Sequence, residues 1–102
     1  MQGPYTLMVL LPTKPEWGLN GESLKVTIDA TQLISQLKET IAAALPAGAN
    51  YGTGKQNLKI GAGHGAPGLE GLAMKNTSTL ASYNLQDGGE IVAAIRERGG
   101  KK

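Results

Sequence analysis

The sequence predicts an α+β fold, a mixed sheet with one helix packed across it, in the order β-β-α-β-β-β. Three observations carry this expectation. Short apolar runs of strand type occur near both ends of the chain, and a single internal segment repeats its apolar residues at helical spacing. That segment lies after the first two strands and before the others, so the economical arrangement lays the helix on the inner face of the sheet. The first and last strands then pair as central neighbours.

Each element follows from local signals. Tyr5 to Leu11 is an apolar run stopped by Pro12, and Leu24-Lys25-Val26-Thr27-Ile28-Asp29 alternates apolar and polar residues, so both read as strands. Pro12 to Glu22 holds two prolines, Gly18 and the turn pair Asn20-Gly21, which suits a hairpin connection. From Thr31, a candidate N-cap, Ile34, Leu37, Ile41 and Leu45 form one stripe of an amphipathic helix. Pro46-Ala47-Gly48 ends it, because proline cannot continue the hydrogen-bond ladder and glycine accepts the turn that follows. Asn57–Ile60, Leu72–Met74 and Glu90–Ile95 are the later strands. Residues 49–54 and 61–71 are glycine-rich insertions expected as surface loops of low order, and the first four and last four residues are expected to be mobile.

Composition narrows the chemistry. The chain has 102 residues, suited to one domain, and its 40% hydrophobic content with no Phe implies an aliphatic core. Zero Cys and one His exclude disulfides, thiol catalysis, zinc fingers and Cys/His metal clusters, and fit a reducing compartment. No apolar stretch is long enough to span a bilayer and no signal peptide is visible. The carboxylates show no paired spacing for acid/base work, so no enzyme activity and no cofactor is expected.

Charge is distributed unevenly. Residues 1–95 carry six basic and seven acidic side chains, whereas 96–102 carry four basic and one acidic, a change from −1 to +3. The run Arg96-Glu97-Arg98-Gly99-Gly100-Lys101-Lys102 is a basic flexible tail behind a globular body, and concentrated charge of this kind suits a polyanion. Arginine offers a planar fork to guanine or phosphate, the glycines let backbone approach a groove wall, and the lysines add unspecific attraction. Lys55, Lys59 and Lys75 extend this basic surface if the third and fourth strands lie near the last one.

Other motifs carry less. Gly63-His64-Gly65-Ala66-Pro67-Gly68 satisfies G-x-G-x-x-G, but Pro67-Gly68-Leu69-Glu70-Gly71 does not open the helix that a dinucleotide site needs. The segment ending Gly54-Lys55 lacks the first glycine and the Ser/Thr of a phosphate loop. His64 reads as a solvated loop residue. Trp17, the lone tryptophan, reads as a packing anchor before a base-stacking platform.

The C-terminal third is more specific. Thr79-Leu80-Ala81-Ser82-Tyr83-Asn84-Leu85-Gln86, a strand, and then Arg96-Glu97-Arg98-Gly99-Gly100 resemble the end of ubiquitin. The resemblance implies a β-grasp (ubiquitin-like) fold in which the Tyr83 hydroxyl ties a short helical turn to the body. Gly3-Pro4, Glu16-Trp17-Gly18-Leu19-Asn20-Gly21, Pro46-Ala47-Gly48, Gly54-Lys55-Gln56-Asn57-Leu58 and Glu97-Arg98-Gly99-Gly100-Lys101-Lys102 are similar to the C-terminal ubiquitin-like domain family of the largest subunit of splicing factor 3a. That family implies an RNA-binding domain of a nuclear pre-mRNA splicing factor. It would grip a U1 snRNA stem-loop with its tail, bridge the U2 and U1 small nuclear ribonucleoproteins, and contact other splicing factor 3a subunits through its parent protein. The expected RNA-binding residues are Lys55 and Lys75, which match basic positions of that family, Lys59 on the same basic surface, and Arg96, Arg98, Gly99, Gly100, Lys101 and Lys102 of the tail, and the domain is expected to be monomeric. The tail is one arginine shorter than the family pattern, Asn57 replaces a usual lysine, Ala73 an aromatic, and both insertions are foreign to it. The alternatives are a protein modifier of the ubiquitin type, whose Gly99-Gly100 is followed here by two lysines, and a domain docking on ubiquitin receptors. The apolar patch of the latter has Lys59 and Ala94 at two of its positions.

Overall fold

A computed structural model of the chain describes residues 4–45, 48–63 and 70–95. Six strands, one α-helix and three 3-10 turns follow in order: β1 (Pro4–Leu10), β2 (Thr13–Lys14), β3 (Leu19–Asn20), β4 (Ser23–Asp29), α1 (Ile34–Ala44), β5 (Gln56–Ile60) and β6 (Glu90–Ile95), with the turns at Pro15–Trp17, Thr53–Lys55 and Ala81–Tyr83. The main sheet runs β4-β1-β6-β5, so the first and last strands are the central pair, as expected. β1 and β6 are parallel, with Met8, Val9 and Leu10 opposite Glu90, Ile91 and Val92, while β4 and β5 flank them antiparallel.

The pleat explains which residues are inside. Successive strand side chains alternate between faces, so Leu7 and Val9, Val26 and Ile28, Leu58 and Ile60, and Ile91 and Ala93 point to one side. On that side they meet Ile34, Leu37 and Ile41 of α1. Leu45, the fourth member of the helical stripe, packs only partly against this core. Each fully buried aliphatic side chain contributes about 1.5–3 kcal/mol through removal from water.

Several boundaries differ from those expected. β1 already begins at Pro4. The helix starts at Ile34 with Leu33 as its cap, not at Thr31. Its first free N–H groups are taken up elsewhere: Ile34 N–H donates to Ser78 O at 2.8 Å, Ser35 N–H to Asn76 O at 3.2 Å, and Leu33 N–H to Gln36 Oε1 at 2.8 Å. With those donors satisfied, a Thr31 hydroxyl has no capping role. The helix ends at Ala44, and Leu45 is extended (φ −65°, ψ 153°), the conformation imposed on a residue that precedes proline. Pro46 and Ala47 lie outside the described residues.

Leu72–Met74 narrows to a single antiparallel bridge between Ala73 and Lys59, although Ile60 N–H to Leu72 O (3.0 Å) and Met74 N–H to Leu58 O (2.9 Å) still hold it along β5. Only Met74 of the three is buried, so nothing extends the pairing into a strand. The connection over 12–22 contains a small ribbon of its own, β2 with β3, closed by the Pro15–Trp17 turn and by Gly18 at φ +78°. Of the glycine-rich segment 61–71, residues 64–69 lie outside the described residues, and with them His64 and most of the G-x-G-x-x-G match.

Ile91→Ala, at the centre of β6 where Ile91 is fully buried, is expected to lower the unfolding free energy by about 2–5 kcal/mol in urea denaturation. Val92→Ala, its neighbour on the exposed face, is expected to change it by no more than about 0.5 kcal/mol.

Candidate functional site

The parallel pairing of β1 and β6 decides where the basic run begins. Both strands point toward the same end of the sheet, and the β1 ladder stops at Leu10 opposite Val92. β6 continues to Ile95, which lies opposite Gln56, the first residue of β5. The β2–β3 ribbon and the Thr53–Lys55 turn stand at that same end. Arg96, Arg98, Gly99, Gly100, Lys101 and Lys102, the tail residues expected to bind RNA, lie outside the described residues.

Beyond the β1 ladder the strand end is held by Tyr51. Its hydroxyl donates to the Ala94 carbonyl, and its ring is 1% exposed. This overturns the reading of residues 49–54 as a loop of low order, because a chain without Phe has placed an aromatic from that segment in its core. Gln56 lies fully buried beneath it, and its side-chain amide donates to Lys38 O at 3.0 Å and Tyr51 O at 3.2 Å. Burial pushes the Tyr51 phenol up to about 12, partly opposed by the Asn57 backbone N–H.

Asn50 joins the same segment to the ribbon. Its N–H donates to Trp17 O at 2.8 Å, and its side-chain Oδ1 accepts from Lys55 Nζ at 2.9 Å. The approach is close enough to require Gly18, where a Cβ would stand 3.1 Å from the Ala49 Cα. Trp17 is half-buried against the core, as an anchor should be, and it also gathers cations. Lys14 Nζ and Lys55 Nζ each lie 5.1 Å from the ring centroid. Glu16 sits 3.5 Å from Lys14, and its carboxyl is held below the usual range first by its own backbone N–H and then by the Lys14 charge.

The remaining sequence-predicted lysines are spread out. Lys59 lies within β5 on the outer face of the sheet, opposite Val92 and bridged to Ala73, whereas Lys55 belongs to the turn before that strand. Lys75 is exposed on the segment beside β5, and its N–H donates to the Tyr83 hydroxyl at 2.8 Å. That bond ties the Ala81–Tyr83 turn to the body, the role the ubiquitin resemblance implies for Tyr83. The structure therefore brings Lys55 to the root of the basic run and leaves Lys59 and Lys75 on its flank. Sequence reasoning missed Lys14, Asn50 and Tyr51. A signal for Tyr51 existed, since it is one of only four aromatic residues in the chain and the core needed large side chains.

Among the described residues no group of three or more His, Cys, Asp or Glu is placed to hold a metal ion, and no helix is long and apolar enough to cross a membrane.

Tyr51→Phe is expected to lower stability by about 0.5–1.5 kcal/mol near neutral pH, read by denaturant unfolding. In the wild-type chain the unfolded phenol ionises first, so the stability supplied by the buried neutral form is complete below pH ~10. It is lost as pH rises toward ~12, an effect of about 2–3 kcal/mol that Tyr51→Phe should not show.

No family model matches the chain. It is similar to splicing factor 3A subunit 1 of Mus musculus and Homo sapiens, 36% identical over 99% of this chain but only 12% of theirs. A probable splicing factor 3A subunit 1 of Arabidopsis thaliana is 31% identical over 98% of this chain and 11% of its own length. The chain thus spans about an eighth of the curated relatives it matches. Among solved structures, the ubiquitin-like domain of Plasmodium falciparum Dsk2 superposes with TM-score 0.70 at 14% identity, covering 92% of this chain and 100% of that one. A ubiquitin of Caldiarchaeum subterraneum gives TM-score 0.64 at 20% identity, covering 96% and 100%.

Proposed function

This chain is a ubiquitin-like β-grasp domain related along nearly its whole length to a segment of splicing factor 3A subunit 1, and from that premise we propose that it is the RNA-binding domain of a nuclear pre-mRNA splicing factor. It grips a stem-loop of U1 snRNA, and through its parent protein it links that RNA to the U2 particle and to other splicing factor 3a subunits. The observation that carries this reading is the position of the strand end. β6 delivers Ile95 beside Gln56, so the residues that follow, Arg96 through Lys102, start next to Lys55. Lys14 and Lys55 stand at that end of a body close to neutral, and the four basic residues of 96–102 follow it in sequence.

The physical roles divide between charge and shape. Arg96, Lys101, Lys102, Lys55 and, on the flank, Lys59 and Lys75 neutralise phosphates and release counterions. Arg98 supplies a bidentate fork, and Gly99-Gly100 allows the backbone to enter a groove too narrow for side chains on a rigid element. Docking on ubiquitin receptors is less well supported, because Lys59 stands charged on the outer face opposite Val92 and Ala94 offers little apolar surface there. Conjugation as a modifier would need removal of Lys101 and Lys102.

Binding of a labelled U1 stem-loop is expected to fall steeply with salt and to collapse when the chain is truncated after Arg98. Arg98→Ala should cost about 1–3 kcal/mol and relax discrimination between hairpins of altered groove sequence. Binding that is absent, or that survives truncation unchanged, would overturn the proposal.

A further inference from the structure

Two lysines on one tryptophan ring form a feature that the tail does not explain. Lys14 from β2 and Lys55 from the turn before β5 both hold their ammonium groups 5.1 Å from the Trp17 centroid. Like charges so placed repel, and the chain offsets the repulsion with three fixed partners. The electron-rich indole attracts both ammoniums, Asn50 Oδ1 accepts from Lys55 at 2.9 Å, and Glu16 lies 3.5 Å from Lys14. The platform is anchored from below as well, since Asn50 N–H holds Trp17 O and Trp17 packs on the core. Asn50 of residues 49–54 therefore helps to build the platform, and that segment is one of the two insertions foreign to the family pattern.

We infer that Lys14, Trp17 and Lys55 form a phosphate-binding platform for an RNA backbone, a second contact beside the basic tail. Lysines on a surface normally lose side-chain freedom when they bind an anion, and here much of that freedom is already gone, so less affinity is lost to ordering. The platform stands at the sheet end where β6 finishes at Ile95, the residue from which the basic run continues in sequence. Glu16 tunes the site by offsetting the Lys14 charge, which makes it a restraint on RNA affinity. The inference rests on the RNA-binding reading above, and its test separates the two.

Lys14→Gln, Glu16→Gln and Arg98→Ala are introduced singly into the full chain, and affinity for the labelled U1 stem-loop is measured across a salt series. Lys14→Gln is expected to weaken binding about fivefold at physiological ionic strength and to reduce the slope of log affinity against log salt by about 1. Glu16→Gln is expected to tighten binding about two- to threefold, a gain that partial unfolding cannot produce. If Arg98→Ala weakens binding while Lys14→Gln and Glu16→Gln leave affinity and slope unchanged, the platform is overturned and the tail reading stands. If the wild-type chain does not bind, both fall.

Discussion

The parallel pairing of Met8–Leu10 with Glu90–Val92 is the contact on which the rest of the domain depends. Parallel neighbours cannot be joined by a tight turn, so the whole chain between them must cross over and return. That excursion holds the helix that covers the sheet and the ribbon that stands at its end. The register is fixed at the start of the ladder: Thr6 N–H donates to Asp87 Oδ1 at 2.7 Å and Gly88 N–H to Thr6 O at 2.7 Å, while Met8 N–H reaches Gly89 O at 3.0 Å. A slip of one residue would turn Ile91 and Ala93 out to solvent and bring Val92 and Ala94 inside. The same register determines the length of β6 left beyond the β1 ladder, and so the place where the basic run starts.

Residues 49–55 tie the end of β6 to its surroundings. Ala94 pairs with Asn57 of β5, and the Tyr51 hydroxyl donates to the Ala94 carbonyl on that same side, beyond the end of the β1 ladder at Val92. One short segment thus touches three elements: β6 through Tyr51, the β2–β3 ribbon through Asn50 and Trp17, and the start of β5 through Lys55. Buried polar contacts of this kind are costly when incomplete, and Gln56 shows the balance. Its amide nitrogen satisfies two carbonyls, whereas its Oε1 has no hydrogen-bond partner among the described residues.

The middle of the sheet is aliphatic and rigid, and the charged groups gather where β6 runs out and the ribbon folds over. A ring that holds two cations at a half-buried position works at a lower local dielectric than bulk water, which strengthens both the cation–ring attraction and any later contact with phosphate.

Much of this was legible in the residues. The alternation in 24–29, the stripe Ile34-Leu37-Ile41 and the apolar run of β6 reported their elements because burial on one face imposes a period on the sequence. The Tyr83 tie was legible through the resemblance of Thr79–Gln86 to the end of ubiquitin, and the structure shows it in the bond from Lys75 N–H to the Tyr83 hydroxyl. What the tertiary structure alone decided are the contacts between distant segments. The helix start moved because residues 76–78 bring carbonyls to it, Tyr51 became core because its segment folds against the end of β6, and Lys14 joined Lys55 because a ribbon folds onto a loop that glycine content suggested was loose. Periodicity records which face of an element is buried, and it carries no record of which distant atom will stand at a hydrogen bond's other end.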